Sequence, residues 1–188
     1  MGMKCALKGA HPTKEIGQRI GIAIPELDYD PVFLNRFCVE ELMKDRVTFL
    51  HEAENFDWEG TWHINGRSPL WNFNLHYFEY IHPLAYCYSE SGERKYLEKT
   101  VQMIHGWICQ NPQSKGGEGW SAYTISLRLS NWMAYLASVG DELDTSFRKE
   151  MEESIFEQYA YLSGHLEKET LGNHYFENLK IKFQVLLF

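Results

Sequence analysis

Three short segments concentrate the side chains able to do chemistry: Leu70-Trp71-Asn72-Phe73-Asn74-Leu75-His76-Tyr77-Phe78, Gly119-Trp120-Ser121-Ala122-Tyr123-Thr124-Ile125-Ser126-Leu127-Arg128 and Leu171-Gly172-Asn173-His174-Tyr175-Phe176-Glu177-Asn178. An amide such as Asn74 or Asn173 donates to an anion without carrying a proton it can lose. His76 and His174 exchange protons near neutrality. Arg128 can meet a carboxylate or sulfate through two parallel bonds, and the rings of Trp120 and Tyr123 can cover the apolar face of a sugar. Each residue also has a structural use. Asn173 after Gly172 is a favoured helix N-cap, His174 can be a hydrogen-bonded structural imidazole, and Arg128 can lock neighbouring helices. Trp120 and Tyr123, at a glycine-flanked loop-to-helix junction, divide between sugar stacking and core, and Asn74 and His76 divide in the same way. Trp107 and Trp132 fall on apolar helical faces and read as core.

The elements that must position these residues are mainly helical. Residues 1 to about 30 are poorly periodic, with a short strand suggested at Ile20 to Ile24. From Pro31, the spacing of Phe33, Leu34, Phe37, Leu42 and Met43 predicts a helix, followed by a strand-like run from Arg46 to His51. Glu54 to Ser68 reads as an irregular aromatic loop of the kind that carries binding. One helical segment is expected from Trp71 to Ser91-Gly92, with Pro83 as the place for a kink. Further helices are expected over Glu93 to Gln110, Thr124 to Val139 and Thr145 to Glu169, with another beginning near Asn173. Successive amphipathic helices with short links imply antiparallel pairs, as in a bundle, solenoid or toroid. Each of the three segments is expected at a helix entrance, where unpaired N–H groups and the positive dipole end favour anions.

Composition narrows the partners. The 188 residues are 44% hydrophobic and 15% aromatic, enough for a substantial core. A net charge of −8 disfavours a broad nucleic-acid surface. No stretch reaches the length of a membrane span and no export signal is encoded at the N-terminus. Cys5, Cys38, Cys87 and Cys109 are widely spaced and read as reduced thiols, without metal-ligand spacing. His51-Glu52-Ala53-Glu54-Asn55 has Asn where a zinc protease needs its second His, and no phosphate loop, nucleophile elbow or dinucleotide fingerprint occurs. No cofactor is expected.

The order and spacing of the three segments resemble the N-terminal helical domain of the heparinase II/III family, over roughly residues 46 to 178. The resemblance implies an all-α fold, a partial (α/α) toroid of antiparallel helix pairs with a short irregular or β lead-in. It divides the chain into a lead-in and first helix, 1–45, and an incomplete toroid domain, 46–188, without the β-sandwich that follows in the family. The implied activity is polysaccharide lyase chemistry on a uronate-containing, acidic polysaccharide. In that β-elimination the proton beside the uronate carboxylate is removed and the 4-linked oxygen leaves. By resemblance Asn173 neutralises the carboxylate as it gains enolate character, and His174 assists or binds. Asn74, His76, Trp120, Tyr123 and Arg128 are then substrate-binding candidates.

The family's tyrosine acid/base lies downstream of its Asn-His segment, and the sequence departs from the family pattern after Asn178. Together with the apolar ending Val185-Leu186-Leu187-Phe188, this gives the expectation of a fragment, inactive alone. Family lyases are often periplasmic, while this N-terminus suggests no export; localisation and oligomeric state stay open. Two other readings are a helical-toroid glycoside hydrolase, for which Asp57 and Glu118 are the tempting acids, and a non-catalytic helical binding or scaffold domain.

Overall fold

The computed structural model describes residues 30–165 and 180–181. The strand suggested at Ile20 to Ile24 lies outside the described residues, as do Asn173 and His174. Within them the fold is all-α, a partial toroid of helix pairs preceded by a small β-hairpin.

Two four-residue helices, α1 (Pro31–Leu34) and α2 (Val39–Leu42), replace the single helix that the spacing from Pro31 predicts. Asp30 caps the first through its carboxylate, 2.9 Å from the Val32 N–H, and Asn35 ends it. Strands β1 (Arg46–Phe49) and β2 (Glu52–Asn55) pair antiparallel, with Phe49 opposite Glu52. Their two-residue link, Leu50-His51, has both φ angles positive, 54° and 65°. This is the backbone of a type I′ turn, which normally selects Asn-Gly.

The helical part begins at α3 (Pro69–Tyr77), started by the Ser68 cap and by Pro69 at the first position, where its missing N–H costs nothing. It is followed by α4 (Ile81–Ser91), α5 (Lys95–Gln110), α6 (Ala122–Val139) and α7 (Thr145–Gly164). Helices α4 and α5 form one neighbouring pair and α6 and α7 the next; α6 also packs on α3 and α4, and α5 on α7. The expected single helix from Trp71 to Ser91 is therefore two. Its break falls at Phe78, a buried residue in the left-handed region at φ 64°, and not at Pro83. Pro83 sits in the first turn of α4, where no intrahelical N–H bond is lost.

All six tryptophans are at most 4% exposed, which decides whether the aromatic content serves core or surface. The expected aromatic loop is folded inward. Trp58 and Trp62 pack with Phe56, Phe78 and Tyr80, and Phe78 meets Trp107 and Trp132 edge-on. Gly106 on α5 makes this possible, because a Cβ there would lie 2.0 Å from the Trp58 carbonyl oxygen.

Candidate functional site

The first of the three segments does not open a helix; it is α3 itself. Ser68 and Pro69 start the helix before the segment begins, so His76 and Tyr77 lie in its last turn, where carbonyl groups are left over. Three buried or half-buried side chains collect them in succession. The Tyr80 hydroxyl donates to the Leu75 carbonyl at 2.9 Å, Arg128 Nη1 to that of His76 at 3.3 Å, and Asn131 Nδ2 to that of Tyr77 at 2.8 Å. These bonds hold the strained Phe78 backbone, a conformation that costs about 1–3 kcal/mol on its own.

The second segment behaves as expected at its start. Ser121 caps α6 by accepting from Thr124 N–H, and Trp120 lies just before that entrance. One and a half turns further on, Arg128 points into the core and is fully buried. Its Nε donates to Gln158 Oε1 on α7 at 2.7 Å and its Nη2 to the Gly119 carbonyl at 2.8 Å. The guanidinium also lies 3.8 Å over the ring of Trp107. Burial presses its pKa well below the ordinary arginine value. The group stays charged all the same, because all three nitrogens donate to acceptors and a guanidinium is hard to deprotonate. Among the described residues no carboxylate pairs with it. The C-terminal end of α3, itself negative, supplies part of the compensation.

His76 is locked from both sides. Its Nδ1 accepts from Trp107 Nε1 at 2.9 Å, which leaves the proton on Nε2, facing the Trp62 carbonyl. Burial, and then the charge of Arg128, push its pKa down to about 3, so the ring is neutral at ordinary pH. Gly119 passes directly over it, since a Cβ at Gly119 would stand 3.0 Å from Nδ1. Trp120 in turn donates from Nε1 to the Asn111 carbonyl and lies 6.1 Å, centroid to centroid, from Trp107. His76, Trp120 and Arg128 thus gather around Trp107, with their polar atoms spent on interior partners.

Asn74 and Tyr123 stand apart from that group and are half-exposed. Asn74 Nδ2 bonds back to the Leu70 carbonyl at 2.7 Å. Tyr123 meets Tyr77 edge-on at 6.1 Å, and burial together with the neighbouring Tyr123 and Glu79 raises the Tyr77 phenol to about 12. Tyr77 is half-exposed, and sequence reasoning passed over it although it lies inside the first motif segment. Asn131 and Gln158 were also missed, and nothing local marks them, because their partners are 54 and 30 residues away. The acids Asp57 and Glu118 make different contacts. Asp57 lines a depression with Asp45, Asn55 and Gln102, whereas Glu118 pairs with His63 at 3.1 Å.

A helical domain whose two described motif segments converge on one buried cation, with a half-exposed tyrosine pair set apart from it, is the class of protein defined by this arrangement. The family model described as Heparinase II/III N-terminus matches residues 32–184, and the chain belongs to that family. The match takes in all of α1 but Pro31, all of α2 and all three motif segments. No curated protein and no solved structure gave a match. Among the described residues no helix is long and apolar enough to cross a membrane.

Proposed function

We propose that this chain supplies the helical wall of the cleft of a polysaccharide lyase that cleaves a uronate-containing polymer by β-elimination. The observation that carries this reading is the family match over residues 32–184, which spans the Gly172-Asn173-His174 segment together with the two segments before it. In this reading Asn173 donates to the uronate carboxylate as charge moves onto it, and His174 beside it binds or assists. Asn74 and Tyr123, with Tyr77, meet the sugar chain from the rim. His76, Trp120 and Arg128 act from behind. They fix the end of α3 and the turn before α6, and the buried charge of Arg128 adds a positive potential that favours an acidic polymer. The high pKa of Tyr77 keeps its hydroxyl a donor at any pH of interest.

Binding and chemistry test the two halves of the reading separately. Heparan sulfate and other uronate polymers are expected to retard the protein in affinity electrophoresis while an uncharged glucan does not, and Asn173→Ala weakens the retardation. Any cleavage yields new ends that absorb in the ultraviolet, as an unsaturated uronate does. New reducing ends without that absorbance replace the lyase with a hydrolase, and equal retardation by the neutral glucan removes the acidic substrate class.

A further inference from the structure

His105 and Cys109 lie four residues apart on α5, a spacing that puts both side chains on one face of the helix. Glu150 reaches the same place from α7, which packs against α5. The imidazole stands between the other two. Its Nδ1 is 3.0 and 3.1 Å from the two carboxylate oxygens of Glu150, and its Nε2 is 3.6 Å from Cys109 Sγ. One ligand atom from each residue lies within 4.8 Å of the others. This cluster shares no residue with the Arg128 group and takes no part in the reading proposed above.

We infer that His105 and Cys109, backed by Glu150, form a binding site for a thiophilic divalent cation of the zinc type. The distance decides first. A tetrahedral ion with bonds of about 2.0 Å to nitrogen and about 2.3 Å to sulfur separates those two atoms by about 3.5 Å; the imidazole and thiol already stand 3.6 Å apart. The tautomer decides second. A carboxylate at Nδ1 draws the ring proton to that nitrogen, which leaves the Nε2 lone pair directed toward the thiol, the arrangement that carboxylates impose on metal-binding histidines. An exposed His–Glu ion pair alone gives no reason for a thiol at the other nitrogen. On binding, the S–H bond is replaced by a sulfur–metal bond and the proton leaves to solvent. The His105 side chain is 47% exposed and that of Glu150 24%, so an ion can enter and water can fill its remaining positions.

Cobalt(II) titration of the whole protein tests the site, because a cobalt–thiolate bond gives near-ultraviolet charge-transfer absorption and a tetrahedral ion gives intense visible bands. Both are expected to saturate at one equivalent. Cys109→Ser removes the charge-transfer band, and His105→Gln and Glu150→Gln each weaken binding by about tenfold or more. Absence of the band, or its survival in Cys109→Ser, overturns the site. Should Cys109→Ser not fold, the unmodified protein serves. Zinc is expected to slow alkylation of Cys109 by iodoacetamide at least tenfold while leaving exposed Cys38 unaffected, and an unchanged rate at Cys109 overturns the proposal.

Discussion

Arg67 and Arg128 each tie distant parts of the chain together, by opposite means. Arg67, near the surface, grips the hairpin through two acids. Its Nη1 reaches Glu52, its Nε lies 2.8 Å from Glu54 Oε1, and its Nη2 is 3.2 Å from the Ala53 carbonyl. Among the described residues Arg128 has no acid partner and spends its donors on two backbone carbonyls, a glutamine and a ring face. The difference follows from solvent. Near water a carboxylate pair is cheap to form and worth little, whereas in the interior each added charge must be desolvated, and neutral dipoles can satisfy one cation without burying a second ion. The hairpin clamp can therefore be lost at small cost, while the interior one holds the frame of the candidate site.

The largest expected effect is that of Arg128→Met. It leaves the acceptors of His76, Gly119 and Gln158 unpaired inside the core, and urea denaturation should show a loss of about 4 kcal/mol. Stability equal to the parent would show that burial of the cation costs as much as its bonds return.

A second effect depends on pH. His76 is held near a pKa of about 3, against about 6.5 for an unfolded chain. Between those values the unfolded state binds the extra proton. The stability contributed by the neutral ring is thus complete above about pH 6.5 and is lost as pH falls toward the folded value. Between about pH 7 and about pH 4.5 the parent should lose on the order of 2 kcal/mol more than His76→Gln. His82, also lowered by burial, titrates in the same direction in both proteins and cancels in the comparison. Parallel pH profiles would mean that the ring is not locked in its neutral form.

The smallest effect belongs to Arg67→Ala. Its urea midpoint should fall only slightly and approach that of the parent as salt is added. A loss comparable to that of Arg128→Met would erase the contrast between the two clamps.

Much of the helical frame was legible because the apolar period is local. The spacing from Thr124 to Val139 locates α6 to within two residues, and Ser121 is a capping residue by type. The hairpin was half legible. The strand-like run from Arg46 to His51 contains β1 but runs two residues too far, because Leu50-His51 carries no turn signal and its positive φ angles are imposed by the strand pairing around it. The break at Phe78 was hidden for a similar reason. Leu75, Phe78 and Ile81 continue one helical stripe, while the groups that stop the helix come from Tyr80, Arg128 and Asn131. Trp58 and Trp62 illustrate the same limit. Glycine and polar neighbours mark their segment as loop, and only the absence of a side chain at Gly106, on another element, lets that loop lie in the core.

The sequence by itself determined the class of the fold, the caps and most helix ends, and the order of three motif segments that the family match includes. It left each motif residue with two uses. Tertiary structure shows where the described ones lie: His76, Trp120 and Arg128 turn inward around Trp107, and Asn74, Tyr77 and Tyr123 stay half-exposed. The physical reason is that periodicity and capping are fixed by neighbours within a turn or two, whereas the direction a polar side chain faces depends on which distant donors and acceptors the packed helices bring within about 3 Å of it.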